Sequence, residues 1–185
     1  MASNKQFAQS FLKDTPSSVK GILTIALIGG VGFGGYKIYQ YFKKKEDEKK
    51  NREVVNSNKN EYLKLKSAGK KLTFGENVYL QLINGIITKF AGAENFNTEL
   101  TIIQDIIKVA KTPIDWYYLV YKFGNRDIDD ILYGQTNYEL VNLLNDQLDT
   151  AGVYTINLPN FKKTGVTTNS INILSEYLKK IGVTI

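Results

Sequence analysis

Histidine and cysteine are both missing from this 185-residue chain. Without cysteine there is no disulfide framework and no thiolate metal site. Without histidine there is no Ser-His-Asp or Cys-His nucleophile system and no His-ligated zinc or iron. Catalysis would have to rest on carboxylates, lysine, tyrosine or hydroxyls, and the carboxylates are poorly placed for it. Asp127, Asp129 and Asp130 form the one dense acidic cluster of residues 74–185. An EF-hand loop needs ligands at positions 1, 3 and 5 and a bidentate Glu at 12, but the twelfth residue from Asp127 is Tyr138. The cluster reads instead as acids favouring a helix N-terminus, with Arg126 beside them. No spacing marks two acids as a pair facing each other across a groove. The expectation is a non-enzymatic chain with no catalytic residue, no cofactor and no metal.

Positive charge is scarce where a folded domain would carry it. The net charge is +6, but residues 1–73 hold fifteen Lys and Arg against six Asp and Glu, whereas residues 74–185 hold nine against twelve. A nucleic-acid-binding domain usually carries its basic stripe on the folded surface. Here the basic residues flank a hydrophobic run, so no nucleic acid is expected as a partner of the globular domain.

That run, GILTIALIGGVGFGGY from Gly21 to Tyr36, contains no charged residue. Continued to Tyr41 as a helix it measures about 31 Å, the thickness of a bilayer core. We therefore read residues 19–42 as a single transmembrane helix with Leu27 near its centre and Lys20 closing one end. Tyr36, Tyr39, Tyr41 and Phe42 make an aromatic belt at the other end. Lys37 can snorkel to the headgroups, and Lys43, Lys44 and Lys45 face them directly. A buried core helix rarely joins such flanks, and a signal peptide would need a small-residue cleavage site that YKIYQYFKKK lacks. Gly30, Gly32 and Gly35 match a dinucleotide-binding fingerprint, but REVVNSNKN at 52–60 is too polar for the second strand that motif requires. Gly30 and Gly34 fit G-x-x-x-G spacing, a face for another membrane helix or simply a glycine-rich span. Residues 1–18 form a tail, either interfacial through Phe7, Phe11 and Leu12 or loosely ordered.

Residues 43–73 read as a charged stalk or linker, interrupted at 57–60 and at Gly69. From Phe74 the apolar period turns helical and defines a globular domain, 74–185. Tyr79, Leu82, Ile83, Ile86, Ile87 and Phe90 mark one face. Leu100, Ile103, Ile106, Ile107 and Ala110 mark a second helix, entered near Asn97 or Thr98. Thr112, Pro113 and Asp115 start a third, which stops at Gly124. DIDDILY reads as a short helical turn, and Thr136 with Glu139 as a capping box for YELVNLLNDQL. VYTINL, 153–158, reads as a short strand or extended arm, and SINILSEYLKKI as a last helix capped by Asn169 or Thr168 and ended by Gly182. The fold class expected is mainly α: a transmembrane helix, a charged stalk and a small helical bundle with one or two short extended segments. Within the third helix Trp116, Leu119, Val120 and Phe123 belong to the core. Tyr117, Tyr118 and Tyr121 are candidate partner-binding residues, although core packing also accounts for them.

The stretch 98–144, an acid-led helix, a capped helix ending in FG-x-R-D and a following short helix, resembles one annexin-type repeat. The calcium loop of that family has no counterpart here, so the resemblance implies a helical arrangement and not calcium-dependent lipid binding. The same W-x-x-L…FG-x-R layout is similar to small helical modules in structural proteins of phages infecting Bacteroidetes. With a membrane span it points to the membrane-containing icosahedral phages of the Flavobacterium type. The function this implies is a single-pass structural protein that docks on other proteins, capsid or membrane neighbours, and tethers a virion's internal membrane to the capsid. The alternative is a cellular envelope-anchored enzyme or binding module acting on peptidoglycan.

Three lysines lie before the run, Lys5, Lys13 and Lys20, and seven basic residues lie between 37 and 52. The positive-inside rule therefore places the C-terminal domain in the host cytoplasm and the N-terminus away from it. Leu27→Arg, at the middle of the span, is expected to impair insertion by about 3 kcal/mol. Its signature is a shift of the protein from the pellet to the supernatant after alkaline carbonate washing.

Overall fold

The computed structural model describes residues 32–90, 96–130, 134–148, 151–158 and 161–183. The tail and the part of the apolar run that holds Gly21, Leu27 and Gly30 lie outside them. The chain divides into two compact units, Met1–Lys49 and Lys50–Ile185. Helix α1 (Gly32–Ser67) supplies the described part of the first unit and opens the second. Gly34, Tyr36, Lys37, Tyr41 and Lys43 fall within it, and Lys44 and Lys45 are exposed. Among the described residues no helix is long and apolar enough to cross a membrane.

The interruption expected at 57–60 does not occur, because the weak helix formers bond to their own helix. Asn58 Nδ2 donates to the Val54 carbonyl at 2.9 Å, and Ser67 Oγ to that of Lys64 at 2.8 Å. The helix ends at Gly69, whose φ of 80° closes a Schellman turn: Gly69 N–H bonds Lys66 O and Lys70 N–H bonds Leu65 O, both at 3.0 Å.

The second unit begins at Lys50, well before Phe74, so it takes in much of the segment read as a solvated linker. Two side chains tie that segment in. Tyr62 is buried, and Asn51 is 3 % exposed. Asn51 Nδ2 donates to Asn137 O at 2.8 Å, and its Oδ1 accepts from Asn142 Nδ2 at 2.7 Å.

Five helices follow: α2 (Glu76–Phe90), α3 (Phe96–Val109), α4 (Pro113–Phe123), α5 (Leu140–Gln147) and α6 (Ser170–Lys180). The apolar faces expected from the sequence are buried except for Ile87 and Leu100, which are half-buried against the core. Tyr79, Leu82, Ile83, Ile86 and Phe90 of α2 meet Ile103, Ile106 and Ile107 of α3 and Trp116, Leu119, Val120 and Phe123 of α4 in one core. Helix α3 contacts α2 and α6, and α4 contacts α2 and α5. Tyr177 of α6 donates to Ala110 O at 2.9 Å, satisfying a carbonyl that the end of α3 leaves open. Gly182, at φ 84°, repeats the Schellman closure, with Val183 N–H on Leu178 O at 2.9 Å and both side chains buried.

The unit departs from the expectation in its strands. Residues 127–130 of the expected helical turn are not helical, and 131–133 lie outside the described residues: β1 (Arg126–Asp130) pairs antiparallel with β2 (Gly134–Tyr138), Ile128 opposite Thr136. The third element of the annexin-like layout is therefore a hairpin. The physical reason is alternation, because Ile128 turns into the core while Asp127 turns to solvent and accepts from Asn137 Nδ2 across the strand pair at 2.9 Å. Thr136 lies in β2, and Glu139 alone caps α5. The expected strand 153–158 extends to β3 (Ala151–Leu158) and finds a partner in β4 (Phe161–Asn169), which the sequence reading left unassigned. Pairing skips Gly165, a bulge opposite Tyr154 and Thr155. Ile171 N–H donates to Leu148 O at 2.8 Å and closes the base of this ribbon.

Tyr62→Ala is expected to cost about 3 kcal/mol of unfolding free energy, in the range of aromatic core truncations. Leu63→Ala, at the next position but 46 % exposed, should change it by at most about 0.5 kcal/mol. Urea titration followed by Trp116, the single tryptophan and a buried one, separates the two. Equal effects would place the C-terminal half of α1 outside the core.

Candidate docking surface

Pro113 starts α4, and Asp115 in its first turn is fully buried. Its carboxylate accepts six hydrogen bonds. Oδ1 takes the Thr73 N–H at 2.8 Å and the Tyr79 hydroxyl in a short contact. Oδ2 takes Thr73 Oγ1 at 2.6 Å, the N–H groups of Lys111 and Thr112 at 3.1 and 2.9 Å, and Thr112 Oγ1 at 2.8 Å. Burial alone would push this carboxyl up, but the donors from Thr73, Tyr79 and Thr112 outweigh it and hold the group below the usual carboxylate range. Burial and the same carboxylate push the Tyr79 phenol well above its ordinary value. With its lone pairs occupied and no exposure, Asp115 is a pin: it fixes the chain between α1 and α2 against the start of α4.

Four tyrosines gather beside the pin. Tyr118 lies 5.0 Å from Tyr62 and 5.2 Å from Tyr79 between ring centroids, and Tyr121 stacks on Tyr62 at 6.0 Å and 24°. Lysines cover them: Lys66 sits 5.6 Å from the Tyr62 ring, Lys59 5.6 Å from Tyr121, and Lys122 5.4 and 5.5 Å from Tyr118 and Tyr121. Tyr118 is corrected here. It is 1 % exposed and belongs to the core, so it does not present a face to a partner. Burial holds its phenol well above the ordinary value, and the Glu76 carboxylate adds to this from outside hydrogen-bond geometry. Tyr117 and Tyr121 remain half-buried against the core, and Tyr121 stays with the lysines.

The pinned turn forms one wall of a groove of about 360 Å³, lined by Tyr62, Lys66, Gly69, Lys70, Lys71, Leu72, Glu76 and Ile114. None of these had been singled out as a site residue. The available signal was the run Leu65–Leu72, in which Lys66, Lys70 and Lys71 interleave with apolar residues.

The other carboxylates offer little chemistry. Asp127, Asp129 and Asp130 are on β1, and no group of acids among the described residues is arranged to hold a metal ion. Glu139 is buried as the α5 cap, accepting from Val141 and Asn142 N–H at 2.8 and 2.6 Å; burial nonetheless pushes its carboxyl up. Glu99 is buried in the first turn of α3 with one oxygen lacking a hydrogen-bond partner. The chain matches no known protein-family model, no characterised protein and no solved structure.

Because the folded pKa of Asp115 lies below its unfolded value of about 3.9, its stabilisation is fully present above that pH and is lost as the pH falls through the folded value. Glu139 acts with the opposite sign: the neutral form is favoured by folding, so its contribution is greatest below the unfolded value and declines as the pH rises through the folded one. Asp115→Asn is expected to cost about 3 kcal/mol at pH 7, since the amide turns a donor toward other donors. It should also flatten the acid limb of stability below about pH 4. Trp116 fluorescence in urea across pH 2.5–7 measures both.

Proposed function

We propose that this chain is a membrane-anchored, non-enzymatic docking protein: the apolar run 19–42 holds it in a bilayer, and the unit Lys50–Ile185 engages other proteins. The observation that carries the reading is the continuity of α1, which starts at Gly32 inside the apolar run and ends at Ser67 after its final turns have entered the core through Tyr62. Among the described residues the helix runs from Gly32 to Ser67 without interruption. Lys37, Lys43, Lys44 and Lys45 occupy the stretch where anionic headgroups would meet the helix.

In its specific form the proposal is a structural protein of a membrane-containing virion, linking internal membrane to capsid. Its support is the W-x-x-L…FG-x-R pattern from Trp116 to Arg126 together with the charge distribution along the chain. A peptidoglycan hydrolase is the weaker reading. Of the buried carboxylates, Asp115 and Glu139 are committed to hydrogen bonds within the fold, and Glu99 alone keeps an oxygen without a partner, whereas glycoside hydrolysis takes a pair of acids.

In-cell cross-linking followed by quantitative mass spectrometry tests the proposal. We expect the chain in the membrane fraction, joined to a small set of neighbours at a fixed copy ratio. A monomer without cross-linked neighbours, or purified protein that clears peptidoglycan and loses that activity on substitution of one acid, would overturn it.

A further inference from the structure

On the basis of the docking reading, we propose that the groove between the end of α1 and the start of α2 receives an acidic segment of a partner protein, with a large apolar side chain seated on the groove floor and carboxylates flanking it.

The groove's chemistry selects this occupant. Its floor is Tyr62, Leu72 and Ile114, and its edges carry Lys66, Lys70 and Lys71 against one acid, Glu76. All three lysines are exposed, and none has a carboxylate partner among the described residues. Three lysines elsewhere in the unit do have one: Lys89 and Lys108 share Asp105 at 2.8 and 3.1 Å, and Lys64 reaches Glu61 at 3.6 Å. Positive charge at the groove exceeds negative by three lysines to one glutamate, and the backbone beneath it is fixed. The Schellman turn at Gly69 and the Thr73–Asp115 hydrogen bonds hold both ends of the lysine-bearing turn, so binding need not order it.

Exposed apolar side chains lie close to the lining residues in sequence. The exposed large hydrophobics among the described residues are Leu63, Phe74 and Leu80. Each adjoins a lining residue: Leu63 follows Tyr62, Phe74 is two residues past Leu72, and Leu80 is one helical turn from Glu76. Exposed ion pairs are individually weak, so the lysines orient and select the segment while the apolar contact supplies affinity. A protein segment suits the site better than a lipid surface, because the apolar residues form the floor of a recess whose edges are charged. A side chain reaches such a floor; a plane of headgroups does not.

The test uses the full chain in phosphatidylcholine nanodiscs. One probe is a fluorescein-labelled peptide alternating glutamate and leucine around a central phenylalanine. Its control carries glutamine at every glutamate position, and vesicles with one third phosphatidylserine serve as the lipid probe. We expect the acidic peptide to bind at least tenfold more tightly than the glutamine peptide. We also expect tenfold or greater weakening in K66E/K70E/K71E, a variant altered only at exposed positions, with Trp116 emission unchanged. Equal binding by wild type and variant, no peptide binding, or binding of the anionic vesicles alone would each overturn the proposal, the last in favour of a lipid surface. Cross-linking separates this failure from failure of the docking reading. Neighbours retained by both wild type and variant remove only the groove, whereas a wild-type chain with no neighbours removes the docking reading itself.

Discussion

The buried carboxylate of Asp115 fixes the register of parts of the chain that the hydrophobic core brings together. Its donors come from the turn after α1, from α2 and from the start of α4, and no cation stands among them. A carboxylate desolvated to this degree would be strongly destabilising if any donor side were missing. The arrangement is therefore all or nothing, and it enforces one register between α1, α2 and α4. The tyrosine cluster and the groove both inherit their geometry from that register, since Tyr62, Tyr79 and Ile114 stand on the three elements so joined.

The parts legible in the sequence were those where local signals agree with the tertiary result. The faces of α2, α3 and α4 follow a 3.6-residue period, and Thr112-Pro113 and Gly124 bound α4 as their backbone chemistry requires. Asp115 was recognised as a helix-start residue, but its wider role depends on Thr73 and Tyr79, 42 and 36 residues away, and no local pattern carries that. The segment 50–67 looked like a solvated spacer because its charges dominate. Its membership of the core rests on Asn51 and Tyr62, which are buried, and Leu65, which is half-buried, too few to form a stripe. The acids after Gly124 matched a helix N-terminus as well as an exposed strand edge. What decided between them was the burial of one side chain, Ile128, which alternation alone could not weigh against capping.

The candidate surface was legible only in fragments. Tyr121 was named for its exposure and does lie under lysines, whereas Tyr118 was named with it and is core, although the two stand only about 60° apart around the helix. The groove draws on α1, a turn, α2 and α4 together. A site assembled by four elements leaves no compact motif in the sequence, and its charge was hidden by being counted with the basic residues that flank the apolar run.

The ribbon β3–β4 leaves the unit after Leu148 and returns at Ile171, where one backbone hydrogen bond joins the two points. The helices on either side are thus held next to each other whatever lies between. Lengthening the ribbon costs the fold only loop-closure entropy, about 0.6 kcal/mol for each doubling. Residues 151–169 are in this sense insulated from the helical core, and related chains can diverge in the length and sequence of this ribbon faster than in the helices it connects.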